Sequence, residues 1–407
     1  MRMLRRYYYG YNIVAASFVV QVAGGGALAT FGIFFTHLQS EFGWSRAAIS
    51  GASSVTILLM GTAAILAGRL TDRIGPRFVM YASGLLLGGG YVLMFWLQSL
   101  WQLYAAIGIV VGIGMSTQDV VTLSTVARWF EQRRGAMSGI VKAGTGLGQL
   151  AFPVCAAALI AGYGWRAAYL FMGLVVLIAA VGVAHLFRRD PSDRGRVSRN
   201  LDRGTPAEKA QSEQGVVLGV GLRTRQFWFL CLAEFMLAFC IMTTLVHLVP
   251  FAQDSGIPVE RAGILISVIG ASSIVARLSM GSASDKIGSR RAFAVCFGVL
   301  LVGLVWLQMA DAMWMLVLYA IADGFARGGN YAVISPLVAE LFGTRAHGAL
   351  FGLATFVGTI GGALGPVLSG RLFDLLGTYQ VAFAILSGLI AAGFALTLLI
   401  RPLRIRT

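Results

Sequence analysis

The chain contains 407 residues, of which 57% are apolar and only 12% are charged, about half the charged fraction of soluble domains. Its mean hydropathy is +0.78. These values exclude a disordered protein, a coiled coil and an ordinary soluble enzyme, and they indicate an integral membrane protein. The net charge is nevertheless +15, from 32 Lys and Arg against 17 Asp and Glu, so the placement of the charges has to be explained.

The apolar stretches predict twelve transmembrane helices, because a helix needs about 20 apolar residues to cross a bilayer. The uncharged run over 7–40 is much longer than the apolar core of a signal peptide, so we interpret it as a retained first span. The predicted spans are 11–37, 46–69, 77–98, 101–127, 134–161, 166–187, 226–252, 260–283, 290–310, 313–341, 346–373 and 379–400.

Basic residues concentrate on one side of these spans. With a cytoplasmic N-terminus, 25 of the 32 Lys and Arg lie in cytoplasmic segments and four lie at outer ends. Cytoplasmic loops are enriched in Lys and Arg, so we expect both termini in the cytoplasm. We also expect a multi-pass protein of a bacterial inner membrane. Segment 188–225, with nine basic and five acidic residues, is expected to be a cytoplasmic linker that contacts lipid headgroups and binds no nucleic acid.

The two halves of the chain are related by a constant offset of 213 residues. The chain is therefore expected to be an all-α membrane protein with an N-terminal six-helix bundle over 1–187 and a C-terminal one over 226–407. Parallel repeats of this kind occur in secondary transporters, with the substrate site near the midplane. The identities at this offset are Gly68/Gly281, Asp72/Asp285, Gly75/Gly288, Arg77/Arg290, Gly135/Gly348, Gly139/Gly352, Gly148/Gly361 and Pro153/Pro366.

The segments GRLTDRIGPR at 68–77 and GSASDKIGSR at 281–290 resemble the helix 2–3 and 8–9 loops of the major facilitator superfamily. Two others, FFTHLQSEFGWSRAAIS at 34–50 and WFEQRRGAMSGIVKAGTGLG at 129–148, resemble its monocarboxylate transporter branch, which includes oxalate/formate exchangers. The resemblance covers the whole chain. It implies the major facilitator fold and alternating-access transport of small organic anions, without a cofactor; we expect a monomer to suffice.

Asp72 and Asp285 lie where spans 2 and 8 end, next to Arg73 and Lys286. Each carboxylate is expected to pair with that neighbouring cation or to cap free amides of an adjacent helix. Such a charged clasp would open and close a cytoplasmic gate. The alternative is a simple turn with the usual basic residues of a cytoplasmic loop.

Six charged residues fall inside the predicted spans and away from the span ends, where each costs about 2.5–3.5 kcal/mol on insertion scales. They need a water-filled cavity or one another, which makes them the functional candidates. They are the cations Lys142, Arg277 and Arg327 and the acids Asp119, Glu234 and Asp323.

Arg277 shares a helix face with Gly270 and Ser273. The resemblance implies that this arginine binds the substrate carboxylate, and a guanidinium suits a carboxylate because it donates two parallel hydrogen bonds; the alternative is a structural ion pair. Animal monocarboxylate transporters carry an aspartate, implicated in proton coupling, where this chain has Ser273. Their helix-1 lysine also has no counterpart, since 7–40 contains no Lys. Proton coupling therefore needs another acid.

Lys142 belongs to a polar stripe on span 5 that includes Thr145, which we expect to face a cavity. Lys142 is the candidate second anion contact; the alternative is that it extends to the membrane surface. Asp119 on span 4 is expected to pair with Lys142 when no substrate is bound. It is the first candidate for the proton carrier.

Asp323 and Arg327 are four residues apart on span 10 and are expected to pair. Asn330 and Tyr331 extend this face toward a substrate. Arg327 either belongs to a structural pair or contacts substrate while Asp323 titrates. Glu234, about eight residues into span 7, is expected to lie near the interface and ranks last among the proton-coupling acids.

The glycine run 24–26 lies in the middle of span 1. It indicates either a broken helix, as at many transporter sites, or close helix packing, and Leu28 just beyond it is a candidate cavity residue. GxxxG spacings on spans 5 and 11 are candidate surfaces on which the halves move, although static packing would have the same pattern. These spacings are Gly144/Gly148 and Gly358/Gly362.

The function expected is secondary transport of small organic anions, such as proton-coupled symport of lactate or pyruvate. The first alternative is exchange of dicarboxylates such as oxalate, but 346–370 lacks the helix-11 lysine expected of those exchangers. The others are efflux of a neutral or cationic compound and a non-transporting sensor. No GxxxxGK[ST], GxSxG or HExxH motif occurs, so neither an ATP-driven pump nor an enzyme is expected.

Overall fold

The computed structural model describes residues 8–189 and 215–400. Within these ranges the long elements are all helical, and we number them in chain order. The N-terminal half contains α1 Gly10–Phe42, α2 Arg46–Ile74, α3 Pro76–Leu93, α4 Leu100–Trp129, α5 (134–163) and α6 (165–184). The C-terminal half contains α7 Arg225–Asp254, α8 Val259–Ile287, α9 Ser289–Leu307, α10 Met313–Phe342, α11 His347–Leu376 and α12 Gln380–Leu399.

These helices confirm the predicted all-α architecture. In the described part of the chain, ten stretches are long and apolar enough to cross a membrane. One of them, Arg134–Ala184, is interrupted by the non-helical residue Gly164 and therefore supplies two helices, α5 and α6. The helix that fails this criterion is α10, which carries Asp323 and Arg327 in its middle.

The repeat is visible in the backbone as well as in the sequence. Six glycines with a positive φ, a conformation that side chains disfavour, end helices at turns in both halves. They form three pairs at the offset of 213. The pairs are Gly43/Gly256, Gly75/Gly288 and Gly164/Gly377.

The two halves touch through repeat-related glycines on α2, α5, α8 and α11. A Cβ atom at Gly68 would overlap the carbonyl oxygen of Gly348, and one at Gly281 would overlap that of Gly135. Without Cβ atoms the helices approach at backbone distance. The contact is at the end of the bundle where α2 ends and α3 begins, which we call the Asp72 face.

The GxxxG interpretation was wrong about location. A Cβ at Gly144 or Gly148 would overlap backbone of α1, within the N-terminal half. On α11, Gly358 and Gly362 face α7, within the C-terminal half. These spacings pack helices inside each half, and the boundary uses other glycines because the faces that meet across it lie elsewhere on α5 and α11.

The glycine run 24–26 does not break α1, which is continuous over Gly10–Phe42. The glycines instead make room for side chains of α4 and α5, since Cβ atoms there would collide with Gln118, Thr145 and Phe152. Leu28 is half-buried and packs against the apolar core of the N-terminal half. The broken-helix alternative was therefore wrong, and the close-packing alternative is confirmed.

Most of the predicted linker 188–225 falls outside the described residues. Its described end lies against the Asp72 face. The amide of Val216 donates to the carbonyl oxygen of Phe342 (2.9 Å), and Leu218–Gly221 forms one helical turn before α7.

Candidate functional site

Lys142 and Asp119 form the predicted ion pair between α5 and α4. The Lys142 Nζ lies 2.7 Å from Asp119 Oδ1. The lysine side chain is 5% exposed, whereas that of Asp119 is 34% exposed. The carboxylate therefore lies at the edge of an opening, and the lysine lies behind it. The surface-seeking alternative for Lys142 was wrong, because its charge is directed into the bundle.

Gln21 on α1 holds this pair in place and was missed by the sequence reasoning. Its Nε2 donates to Asp119 Oδ1 (2.9 Å) and to Thr122 Oγ1 (3.1 Å). Its Oε1 accepts from Thr145 Oγ1 (2.5 Å), so Thr145 supports the pair indirectly. The signal was the internal repeat, because adding 213 to 21 gives 234, the position of a charged candidate.

Arg277 on α8 is 4% exposed and crosses the boundary between the halves. Its Nη1 donates to the backbone carbonyl oxygen of Lys142 (2.8 Å). Among the described residues no carboxylate lies within ion-pair distance of this guanidinium. The structural ion-pair alternative for Arg277 was therefore wrong in this conformation.

Several buried polar atoms around Arg277 and Lys142 lack hydrogen-bond partners within the described ranges. They are Arg277 Nε, Ser273 Oγ one turn before it, and Ser138 Oγ one turn before Lys142. Buried polar groups are nearly always hydrogen-bonded. Unused donors of this kind suit an anion that accepts from them.

Tyr331 on α10 contacts both cations. Its ring centroid is 5.0 Å from Lys142 Nζ and 5.6 Å from Arg277 Cζ. The ring face attracts both cations. Helices of both halves thus converge here, as a midplane site requires. We call Arg277, Lys142, Asp119 and Tyr331 the anion site.

Asp323 and Arg327 form the predicted pair along α10, with Arg327 Nη2 2.9 Å from Asp323 Oδ2. The side chains are 0% and 8% exposed. Arg327 Nη2 also donates to the carbonyl oxygen of Ile241 (2.5 Å), and Thr244 Oγ1 donates to Asp323 Oδ1 (2.9 Å). These bonds lie within the C-terminal half and favour the structural-pair alternative. The substrate role of Arg327 and the titration of Asp323 stay predictions.

Glu234 packs between helices and does not face water. It is 7% exposed, inside the C-terminal half. Its Oε2 is 3.4 Å from the Asn330 Nδ2 donor, and its Oε1 has no partner within the described ranges. The sequence does not show this burial, because depth along α7 does not reveal that this face meets α10.

Asp72 and Asp285 form the second of the two predicted contacts, in which each carboxylate caps free amides of an adjacent helix. The Asp285 oxygens accept from the amides of Gly135 (2.7 Å) and Ala136 (2.8 Å) in the first turn of α5. Asp72 accepts from Gly348 (3.3 Å) and Ala349 (3.1 Å) in the first turn of α11. Each carboxylate meets unpaired amides and the positive end of a helix dipole.

The cation of the clasp is Arg128 of α4, which pairs with Asp72. Sequence neighbours Arg73 and Lys286 are exposed and take part in no described ion pair. Their predicted pairing with the aspartates was wrong, because the carboxylates turn inward across the boundary. In this structure the Asp72 face is closed.

The comparisons with known proteins agree with this architecture. The family model of the Major Facilitator Superfamily matches residues 17–282 and 248–406, and the chain belongs to this superfamily. Within this superfamily, the chain is similar in sequence to monocarboxylate transporters. It is 29% identical over 387 residues to monocarboxylate transporter 13 of Rattus norvegicus, covering 95% of this chain and 87% of the relative.

A second relative, monocarboxylate transporter 7 of Homo sapiens, is 25% identical, covering 97% of this chain and 86% of its own. Among solved structures, the proton:xylose symporter XylE has a TM-score of 0.78 at 14% identity, covering 97% of each chain. The fucose:proton symporter FucP of E. coli has a TM-score of 0.74 at 13% identity, covering 97% of this chain and 100% of that one. These structural likenesses show the fold alone.

Proposed function

We propose that this chain is a secondary active transporter of small organic anions, and that it carries monocarboxylates such as lactate or pyruvate together with a proton. The observation that supports this most is the buried guanidinium of Arg277, which has no carboxylate partner in the described residues and lies beside Lys142 and Tyr331. Relatives named monocarboxylate transporters support the same substrate class.

The charge balance of the anion site favours a single carboxylate. Arg277 and Lys142 contribute two positive charges, and Asp119 neutralises one of them at 2.7 Å. Asp323 and Arg327 cancel one another. One positive charge remains, which matches a monoanion better than a dicarboxylate such as oxalate, and better than a neutral or cationic substrate.

In transport the substrate carboxylate would replace the Lys142 carbonyl oxygen as the acceptor of Arg277. That exchange is favourable because charge-assisted, bidentate hydrogen bonds are stronger than a single bond to a neutral carbonyl. It would also remove a bond between the halves, so that substrate binding and alternating access are linked. We place the Asp72 face in the cytoplasm, on the basis of the basic residues that flank it.

The test is uptake of labelled lactate and oxalate into proteoliposomes, with and without a pH gradient. Saturable lactate uptake that increases with an inward proton gradient is expected. Arg277→Ala should abolish it, whereas Arg261→Ala, which changes an exposed arginine on the same helix, should not. Lactate uptake at the original rate by Arg277→Ala would disprove the anion site, and oxalate uptake without lactate uptake would favour exchange.

A further inference from the structure

Glu234 is a buried acid that differs from the other two acids inside the bundle. Asp119 pairs with Lys142, and Asp323 pairs with Arg327. Glu234 has no cation within ion-pair distance among the described residues. Its carboxylate charge is therefore not compensated, although a lone charge in the membrane interior is costly.

The hydrogen bonding around Glu234 is also incomplete. The Asn330 Nδ2 donor lies 3.4 Å from Glu234 Oε2, which is a long bond. Glu234 Oε1 and Asn330 Oδ1 are both buried acceptors without a donor in the described structure. A proton on the Glu234 carboxyl converts one acceptor into a donor and so relieves the shortage.

The groups around Glu234 are mostly neutral. The titratable side chains near it include the thiols of Cys231 on α7 and Cys296 on α9, and the phenol of Tyr331 on α10. From α11 the facing residue is Gly358, where a Cβ would lie 3.6 Å from Oε2. The helix α12 contains no charged residue over 380–399.

Helix α10 connects Glu234 to the anion site. Asn330, the partner of Glu234, directly precedes Tyr331, whose ring contacts Arg277 and Lys142. A change in the charge of Glu234 is therefore placed to act on the anion site from the side of the C-terminal half. In the N-terminal half the repeat-equivalent residue is Gln21, an uncharged carboxamide.

We infer that Glu234, and not Asp119, is the residue that binds the co-transported proton. The inference rests on the proposed function. The proton enters from water on one side of the membrane, binds a Glu234 carboxylate oxygen, and leaves as H⁺ on the other side. When the monoanion is bound, Glu234 is protonated and carries no charge. The single excess positive charge of the anion site then balances the charge of the substrate.

The test compares two measurements on Glu234→Gln in proteoliposomes: lactate accumulation driven by a pH gradient, and lactate exchange at equal pH. A gradient of one pH unit can drive about tenfold accumulation, and we expect the unsubstituted protein to approach this value. Glu234→Gln should retain exchange and lose accumulation. Because glutamine occupies the equivalent position in the other half, the Glu234→Gln variant is expected to fold, and a melting curve checks this. The matched control is Glu131→Gln, which makes the same change at an exposed position.

Several results would overturn the assignment. Accumulation by Glu234→Gln at the unsubstituted level would exclude Glu234 as the proton carrier, and loss of accumulation in Asp119→Asn with exchange retained would assign the proton to Asp119. If a sodium gradient drives lactate accumulation in place of the proton gradient, Glu234 Oε1 and Asn330 Oδ1 bind Na⁺ and not a proton. Arg277→Ala should lose both accumulation and exchange, so failure of the proposed function is distinguishable from failure of this inference. If Glu234→Gln does not fold, Glu234→Asp is used instead. Its proton uptake per lactate is measured with a pH dye trapped inside the proteoliposomes. An unchanged pH dependence of that uptake would overturn the assignment.

Discussion

Asp72 and Asp285 make the same contact in opposite directions across the boundary between the two halves. Asp72 receives the amides of Gly348 and Ala349, and Asp285 receives those of Gly135 and Ala136. Every residue of one contact is 213 positions from its counterpart in the other. The closed Asp72 face is thus a two-fold arrangement in which each half caps a helix of the other.

Neutralising either aspartate should weaken this closed state. Asp72→Asn or Asp285→Asn removes a negative charge from a helix N-terminus, and such a charge contributes up to about 1 kcal/mol. We expect a roughly fivefold increase in the open population, since about 1 kcal/mol corresponds to that factor. The measurement is maleimide labelling of a cysteine introduced at the buried Ser138, with reagent applied from the Asp72 face.

Asp311→Asn is the control for these variants, because Asp311 is exposed and lies in the loop between α9 and α10. It should label at the original rate. Equal labelling rates in all three variants would show that the clasp does not hold the face closed.

Gly139 is expected to tolerate no side chain. A Cβ atom there would overlap the carbonyl oxygen of Arg277, so Gly139→Ala must push α5 and α8 apart. We expect transport to decrease strongly, because the closed state becomes strained and Arg277 moves. Gly270→Ala on α8 is the control, since a Cβ there would have nothing within 4 Å. Initial rates of lactate uptake compare the two, and similar rates would contradict this view of the boundary.

Arg277→Lys should impair transport nearly as much as Arg277→Ala. Lysine keeps the charge but lacks the planar pair of N–H groups that binds a carboxylate bidentately. Loss of one charge-assisted hydrogen bond corresponds to about 1.5–3 kcal/mol, or roughly 10–100-fold in uptake at low substrate. The measurement is the uptake rate of each variant and of the unsubstituted protein at a series of lactate concentrations. Full activity in Arg277→Lys would mean that the charge alone is required.

The Asp323–Arg327 pair should be dispensable as a pair. Removing one partner of a buried ion pair typically costs about 3–5 kcal/mol, because the other charge stays buried and uncompensated, whereas replacing both is often tolerated. We expect Arg327→Gln to lower the melting temperature in detergent and the double variant with Asp323→Asn to recover much of it. The double variant should still transport lactate. Its inactivity in a folded protein would instead support the predicted substrate contact by Arg327.

The helices and their order were predictable from the sequence because they depend on local properties. Each span needs enough apolar residues in a row, and the predicted spans 134–161 and 166–187 agree with 134–163 and 165–184 in the structure. The pair Asp323–Arg327 was predictable for the same reason, since residues four apart on a helix are neighbours. The resemblance supplied the superfamily and the candidate role of Arg277.

Contacts between distant helices were less predictable. The Asp119–Lys142 pair follows from the expectation that buried charges pair with each other. Gln21 carries no charge, so that expectation does not predict its role. The position of Arg128 predicts only a basic residue of a cytoplasmic loop, whereas in the structure it is the cation that pairs with Asp72. The depth of Glu234 along α7 predicts an interfacial position, but it does not predict that this helix face meets α10.

The sequence alone therefore established twelve spans, a duplicated unit and the small set of charges inside it, because hydropathy and repetition are written along the chain. Only the tertiary structure decided which of those charges are compensated. That property depends on which helix faces meet, and it separates Arg277 and Glu234, which lack ionic partners among the described residues, from the pairs around them.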